Sequence, residues 1–139
     1  MNAAQTFTGA CLCGAVGFAL RAPMKWCAHC HCTMCRRAHG AAIVTWVGVV
    51  TAQFTPVRGD AELRWYRSSP PAERGFCSRC GSTLFFRSER WPGKIHIILT
   101  NLNNPIPLAP QAHVFWGDHV EWLTPADDLP RLGAPGGAG

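Results

Sequence analysis

Residues 76–81 read FCSRCG, and this stretch decides how the rest of the chain can fold. Cys77 and Cys80 form a C-x2-C-G knuckle, in which a tight turn orients both sulfur atoms inward. Gly81 supplies the positive φ that lets backbone N–H groups approach the sulfurs. Thiolates two or three positions apart can bind one metal ion, but they are usually too close for a relaxed disulfide with each other. The spacing therefore predicts half of a metal site.

The other half of that site is predicted in residues 9–14, GACLCG, where two cysteines form a C-x-C-G motif. Together the two motifs supply four sulfurs, which complete the tetrahedral coordination of a zinc ion and leave no position open. Because the motifs lie more than sixty residues apart, a shared ion would close a long loop and its binding free energy would become folding free energy. We interpret the four as the ligands of a structural zinc: Cys11, Cys13, Cys77 and Cys80.

A third motif, WCAHCHCTMCRR at residues 26–37, contains Cys30, Cys32 and Cys35 within six positions. Three thiolates leave one zinc position open for water or substrate, which is typical of a catalytic zinc. An open zinc can hold a substrate thiol as its thiolate at neutral pH, or it can polarise a carbonyl group. We expect this site to lie near the surface and to hold its metal less tightly than the four-cysteine site.

Cys27, in the same motif, leaves three interpretations open. It can supply a fourth sulfur, which would close the second zinc and leave two structural sites without catalysis. It can be a free, buried thiol that packs as a small apolar group. It can also act in redox chemistry or in reloading the metal. We predict that it lies outside the coordination sphere, since Cys30, Cys32 and Cys35 already supply three sulfurs from one tight turn.

The imidazole and guanidinium groups beside this motif are candidates for ligand contacts. His29 and His31 flank the cysteines and can be metal ligands, hydrogen-bond partners or proton shuttles, although for His29 we favour an outward orientation. Arg36 and Arg37 suit a substrate carboxylate, which arginine binds in a bidentate manner. The alternative for both arginines is an ion pair within the protein, for which the candidate partners are Asp60, Glu62 and Glu73.

The composition limits the class of protein. The chain has 139 residues, eight cysteines and a formal net charge of +5, which seven bound thiolates and two zinc ions would reduce to about +2. No basic run is longer than Arg36 and Arg37, so nucleic-acid binding is not indicated. The first ten residues lack the basic start and apolar run of a signal peptide, and no stretch reaches the roughly 20 apolar residues of a membrane span. We therefore expect a cytoplasmic protein with reduced cysteines rather than a secreted disulfide scaffold.

Short alternating or β-branched segments predict a mainly β fold. Six segments fit strands, at residues 15–20, 43–50, 62–67, 82–87, 94–102 and 113–117. One short helix is predicted over residues 33–39, capped by Thr33, ended by Gly40 and mostly buried by the strands around it. Trp46 and Phe76 fit the core, and His96 fits a structural histidine within a strand.

The predicted domain organisation is simple. Residues 1–125 form a single zinc domain, because all three cysteine motifs and all predicted strands lie within them. Proline, glycine and alanine accumulate beyond that point, and residues 126–139 are predicted to be a disordered tail.

Three stretches together resemble the glutathione-dependent formaldehyde-activating enzyme family: GACLCGAV, then CHCTMCRRAHGA followed by a tryptophan-bearing strand, then RGFCSRCGSTLFF. The resemblance runs from about Gly9 to the HVFWG segment. It implies a zinc-bound β-sheet fold of the Mss4-like type. It also implies the same division of ligands, with the four-cysteine set structural and Cys30, Cys32 and Cys35 catalytic. Cys27 departs from the family pattern.

The resemblance further implies a function, that of a zinc-dependent carbon–sulfur lyase. Such an enzyme would add a thiol such as glutathione reversibly to formaldehyde or a similar small aldehyde, with Arg36 or Arg37 holding a carboxylate. The alternative is a non-catalytic, zinc-stabilised protein-interaction module of the same fold. The fourth ligand of the middle motif separates the two, because a displaceable ligand indicates the enzyme and a fourth protein sulfur indicates the module.

Overall fold

The structure, a computed structural model that describes residues 5–133, is mainly β with one short α-helix among the described residues. The helix is α1 (Thr33–His39). The strands are β1 (Thr6–Ala10), β2 (Gly17–Arg21), β3 (Trp26–Cys30), β4 (Val44–Val50), β5 (Phe54–Arg58), β6 (Leu63–Ser69), β7 (Ala72–Cys77), β8 (Thr83–Ser88), β9 (Lys94–Ile98) and β10 (His113–Val114).

These strands form two sheets. The smaller has the order β1–β2–β5, and the larger has the order β10–β3–β4–β9–β8–β7–β6. Neighbouring strands are antiparallel except for β10, which pairs in parallel with β3. Phe18 and Leu20 of the small sheet pack with Leu84, Phe85 and Ile97 of the large sheet, so one core cluster is shared by both.

Each group of cysteines belongs to its own core cluster. Cys11 and Cys77 are buried in the cluster that joins the two sheets. The second cluster contains Cys30, Cys32 and Cys35 together with Trp46 and Phe86. Each cluster of cysteines therefore contacts the hydrophobic interior, although Cys13 is exposed and Cys80 is only half-buried.

Four of the six predicted strand segments are confirmed, by β2, β4, β6 and β8, and a fifth, at residues 94–102, is confirmed by β9 as far as Ile98. Beyond Ile98 that prediction is wrong, because Leu99–Asn101 form a 3-10 turn. The sixth is wrong beyond Val114, because Phe115 adopts the left-handed conformation (φ 54°) and a 3-10 turn follows at Trp116–Asp118. The sequence patterns did not reveal the remaining strands, which are β1, β3, β5 and β7.

The predicted helix is confirmed over residues 33–39, but two of its details are wrong. Cys32, not Thr33, is the N-cap residue, and its sulfur accepts a hydrogen bond from the backbone N–H of Cys35 at 3.2 Å. Cys35 is the one fully buried residue of the helix. Met34 packs against the second core cluster and the His39 ring lies 5.5 Å from the Trp46 ring, but both residues are only half-buried. Gly40 ends the helix with φ 61°, as expected. No helix within residues 5–133 is long and apolar enough to cross a membrane.

The segment after residue 125 differs from the predicted tail as far as Gly133. The backbone N–H of His113 donates to the carbonyl of Pro130, and the N–H of Leu132 donates to the carbonyl of His113, both at 2.8 Å. Asp127 accepts a hydrogen bond from the His113 ring at 3.0 Å. These contacts hold residues 127–133 beside β10, although the proline, glycine and alanine content of this segment predicted disorder. Residues 134–139 of the predicted tail lie outside the described residues.

Candidate metal centres

The four-cysteine cluster joins the start of the small sheet to the β7–β8 turn. The sulfurs of Cys11, Cys13, Cys77 and Cys80 all lie within 4.8 Å of one another. Cys13 Sγ is 3.7 Å from Cys11 Sγ and 3.8 Å from Cys77 Sγ. A zinc–sulfur distance of about 2.3 Å places the sulfurs of a tetrahedral site about 3.8 Å apart. The spacing thus fits a shared ion and is far too long for a disulfide, in which the sulfurs are about 2.05 Å apart.

Local backbone geometry holds these sulfurs in place. Gly81, at φ 78°, donates its N–H to the carbonyl of Cys77 at 2.8 Å and closes the predicted knuckle. Ser82 ties the two motifs together, because its hydroxyl accepts from the backbone N–H of Leu12 at 2.8 Å and lies 3.2 Å from Cys80 Sγ. The hydrogen bond with Ser82 lowers the pKa of Cys80 to about 5.

The three-cysteine cluster forms where β3 passes into α1. Cys30 ends the strand, Cys32 caps the helix and Cys35 occupies its first turn. Their sulfurs lie within 4.8 Å of one another, with 3.6 Å between those of Cys30 and Cys35. All three residues are buried, whereas Cys13 of the other cluster is exposed. The expectation that this site lies near the surface is wrong, because β3 carries it into the second core cluster.

Three buried thiols in contact resist ionisation unless a cation is present. Hydrogen bonds with Cys32 and Cys35, followed by burial, raise the pKa of Cys30 far above its ordinary value. A divalent cation makes ionisation of these thiols favourable, because the resulting thiolates bind the cation directly. The donor sets of both clusters therefore fit a metal ion, and sulfur donors in groups of three and four are consistent with zinc.

Arg74 of β7 is a buried cation beside the three-cysteine cluster, and the sequence analysis missed it. Only 4% of its surface is exposed, and its Nη1 and Nη2 each lie 3.6 Å from Cys35 Sγ. Its guanidinium also lies over the Phe86 ring, 4.9 Å from the ring centre. Among the described residues no carboxylate forms an ion pair with it. Three thiolates, one zinc ion and this guanidinium sum to zero net charge.

Cys27 lies outside both cysteine clusters of the described chain. It is fully buried in β3 opposite Val47, and burial raises the pKa of its thiol to about 11. Residues three positions apart in a strand leave on opposite faces, so Cys27 and Cys30 diverge. This placement agrees with the predicted free, buried thiol and leaves the three-cysteine cluster without a fourth sulfur from its own motif.

The two histidines of the middle motif face a histidine network instead of the sulfurs. His31 is buried, and its Nε2 lies 2.8 Å from Nδ1 of His113, which in turn contacts Asp127. His29 hydrogen-bonds Thr45 at 2.7 Å and stacks on the His113 ring. For both histidines the arrangement favours the hydrogen-bond role, and His29, for which an outward orientation was expected, is half-buried against Thr45 and His113.

Arg36 and Arg37 follow Cys35 directly in the helix. Arg36 donates to the carbonyl of His31 at 3.3 Å and to the Thr33 hydroxyl at 3.2 Å. Arg37 is exposed, and neither arginine forms an ion pair in the described part of the chain. Glu73, one of the suggested partners, instead pairs with two other arginines, Arg67 and Arg87.

A cavity of about 460 Å³ adjoins the three-cysteine cluster, and Cys30 and Cys35 form part of its wall. Most of the remaining wall is aromatic or aliphatic and comprises Trp26, Trp46, Phe86, Trp91, Val114 and Phe115. Lys94 is the one charged lining residue among those described, and His96 also lines the cavity. Trp46 is a core residue, as the sequence predicted, and it also lines the cavity, as does His96. The arrangement places a ligand-sized space directly beside metal-binding sulfurs.

Comparisons with known proteins agree with this geometry. A protein of Halomonas elongata named "Putative glutathione-dependent formaldehyde-activating enzyme" is 29% identical over 122 residues, which cover 83% of this chain and 78% of the relative. A Rhodobacter sphaeroides protein of known crystal structure has the same fold, with a TM-score of 0.60 and 25% identity over 72% of this chain and 91% of that one. The family model described as "Glutathione-dependent formaldehyde-activating enzyme" matches residues 6–118. The chain therefore belongs to the glutathione-dependent formaldehyde-activating enzyme family.

Proposed function

We propose that the protein is a zinc-dependent carbon–sulfur lyase, which catalyses the reversible addition of a thiol such as glutathione to formaldehyde or another small aldehyde. The observation that carries this proposal is the cavity of about 460 Å³ whose wall contains Cys30 and Cys35. A purely structural site needs no such space, so the cavity favours the enzyme over the non-catalytic interaction module. The family relationship supports the same reaction.

In this proposal the two cysteine clusters have different roles. Cys11, Cys13, Cys77 and Cys80 hold a structural zinc, because four sulfurs satisfy the ion. Cys30, Cys32 and Cys35 hold the catalytic zinc. When bound there, the ion would stabilise a substrate thiolate and polarise a carbonyl group.

The chain itself contributes charge balance and a dry environment. Arg74 balances the charge of Cys35 through two N–H···S contacts. The apolar wall would limit the access of water, which would otherwise compete with the thiol for the aldehyde carbon. The reaction forms a bond between sulfur and the carbonyl carbon, and the thiol proton moves to the carbonyl oxygen. Arg36 and Arg37 remain predicted contacts of a substrate carboxylate, although neither of them lines this cavity.

The proposed reaction can be measured directly by exchange spectroscopy with ¹³C-formaldehyde and glutathione. The zinc-loaded protein is expected to accelerate interconversion of free and adduct carbon above the spontaneous rate. Cys35→Ser is expected to remove that acceleration, because it deletes one of the three predicted ligands. Zinc salt at the same concentration without protein is the control. A protein that carries both metals and leaves the exchange rate unchanged would contradict the proposal.

Metal content tests the two-site assignment independently of activity. We expect elemental analysis to find two zinc ions per chain in the unmodified protein and one in Cys35→Ser. Cys27→Ser is the matched control, since Cys27 is also buried but lies outside the cluster, and it is expected to keep both ions. One zinc in the unmodified protein, with the middle cysteines reacting as free thiols, would contradict the assignment, as would loss of a zinc in Cys27→Ser.

The proposal includes a cytoplasmic location. Thiolate ligands remain available for metal only where cysteines stay reduced, and that condition is met in the cytoplasm.

A further inference from the structure

The cavity is much larger than the aldehyde that gives the family its name. Formaldehyde contains a single carbon and a single oxygen, whereas the cavity beside the three-cysteine cluster encloses about 460 Å³. Pockets of this size typically enclose most of an organic molecule of drug-like dimensions. The size of the cavity therefore suits the larger of the two reactants, which are the thiol and the aldehyde.

The charge of the wall argues against burying the charged ends of glutathione in this cavity. Glutathione carries a carboxylate at each end and an ammonium group, and burying such charges without partners is costly. Lys94 is the one charged lining residue among those described, and it is exposed at the margin. His96 adds no charge at neutral pH, because burial, followed by the nearby Lys94, lowers its pKa to about 4. The wall has no described carboxylate to receive the ammonium group.

The aromatic side chains that line the cavity pack around His96, and this cluster of rings forms part of the cavity wall. His96 lies at their centre, with its ring centre 4.8 Å from Trp26, 5.4 Å from Phe86 and 5.6 Å from Trp91. The Trp26 and His96 planes meet at 82°, so the wall presents both ring edges and ring faces. Edge-to-face and offset contacts of this kind stabilise aromatic pairs beyond the burial of surface alone.

We propose that this cavity binds an uncharged aromatic group, and that the larger substrate is an aromatic aldehyde. The inference rests on the proposed function for its chemistry but on the cavity alone for its binding. A small thiol would add to the aldehyde beside Cys30 and Cys35. The sulfur forms a bond to the carbonyl carbon, the S–H bond breaks, and its proton moves to the carbonyl oxygen, which becomes the hydroxyl of the adduct.

Binding is tested with 2-naphthalenemethanol, which has the ring of an aromatic aldehyde but no carbonyl to react. Calorimetric titration of the zinc-loaded full chain is expected to show one site. Trp91→Ala is expected to weaken binding by about tenfold or more, and Trp91→Phe by about threefold or less, because the ring contact is kept. Trp122→Ala is the matched control, since Trp122 is 77% exposed and does not line the cavity.

A second variant guards against loss of folding in Trp91→Ala. Ala28→Leu adds a larger side chain to the lining of the cavity and is expected to block binding, while circular dichroism reports whether the fold is kept. Absence of binding to the unmodified protein, or binding that Trp91→Ala and Ala28→Leu leave unchanged, would overturn the inference.

The outcomes also separate this inference from the proposed function. Acceleration of the glutathione–formaldehyde exchange without any binding of 2-naphthalenemethanol would keep the function and overturn the aromatic substrate. Binding that depends on Trp91 in a protein that accelerates no thiol addition would keep the aromatic site and overturn the function.

Discussion

Replacing Cys77 by alanine is expected to leave almost no folded protein. Cys77 is fully buried at the end of β7, and its sulfur belongs to the cluster that ties the β7–β8 turn to the small sheet. Structural zinc sites contribute apparent binding free energies of about 10–16 kcal/mol in small zinc peptides. A whole domain has a free energy of unfolding of only about 5–15 kcal/mol. Losing this ion would therefore remove most or all of the stability, which circular dichroism and the soluble yield measure.

Cys27→Ala is the matched control for that experiment. Both cysteines have no exposed surface and both lie in strands, but Cys27 belongs to neither cluster. Its replacement is expected to cost about 1–3 kcal/mol, the usual effect of a core substitution, and to leave a folded protein. A folded Cys77→Ala variant with an unchanged melting temperature would show that the four-cysteine cluster does not support the fold.

Replacing Arg74 by methionine is expected to weaken zinc binding at the three-cysteine cluster by about 10–100-fold. Methionine keeps an apolar chain of similar length but removes both N–H groups that lie 3.6 Å from Cys35 Sγ. The cluster and its ion would then bear a net negative charge in a buried place, which is unfavourable. Competition with a chromophoric chelator measures the change in affinity, and the four-cysteine site should keep its ion.

Two further variants make this result specific. Arg74→Lys is expected to recover part of the affinity, because it restores the charge without the planar pair of donors. Arg67→Met is the surface control, since Arg67 is 56% exposed in its ion pair with Glu73 and such pairs contribute about 0–1 kcal/mol. Equal zinc affinity in Arg74→Met and the unmodified protein would exclude a role of this guanidinium in metal binding.

The spacing of the cysteines could be interpreted from the sequence because metal coordination imposes it locally. Two sulfurs in a C-x2-C-G turn must converge, and the structure brings Cys77 and Cys80 together with Cys11 and Cys13. The limits of α1 were predicted separately, from a cap residue at its start and Gly40 at its end. Metal coordination also predicted the grouping of Cys30, Cys32 and Cys35. It did not predict their depth, since burial depends on which strands lie above the cluster.

The features of the fold and the site that the sequence did not reveal depend on two things. One is which face of a strand each side chain occupies, and the other is contacts between residues far apart in the sequence. In β7, Glu73 and Arg74 are neighbours, but alternation along the strand directs Glu73 to the surface pairs and Arg74 to Cys35. Nothing in the segment AERGFC indicates which of its charges is buried. Pro56 concealed β5, because proline is tolerated only at a sheet edge, which is where β5 lies.

The cavity could not be predicted from the sequence, because it too depends on contacts between distant segments. Its rings come from β3, β4, β8, β9 and the segments beside them, so no local pattern brings them together. Trp46 and His96 each resemble ordinary sheet residues in the sequence. Their joint role becomes visible only through the strand order β3–β4–β9–β8, which sets their rings side by side.

The separation between the halves of the four-cysteine cluster has a consequence for the newly made chain. Cys13 and Cys77 are 64 positions apart, so at a synthesis rate of about 5–20 residues per second the ribosome needs about 3–13 s to pass from one to the other. Cys30, Cys32 and Cys35 are all synthesised during that interval. The nascent chain thus presents a complete three-sulfur set before the four-sulfur set exists, and a metal ion taken up during synthesis is expected to meet the three-sulfur set first.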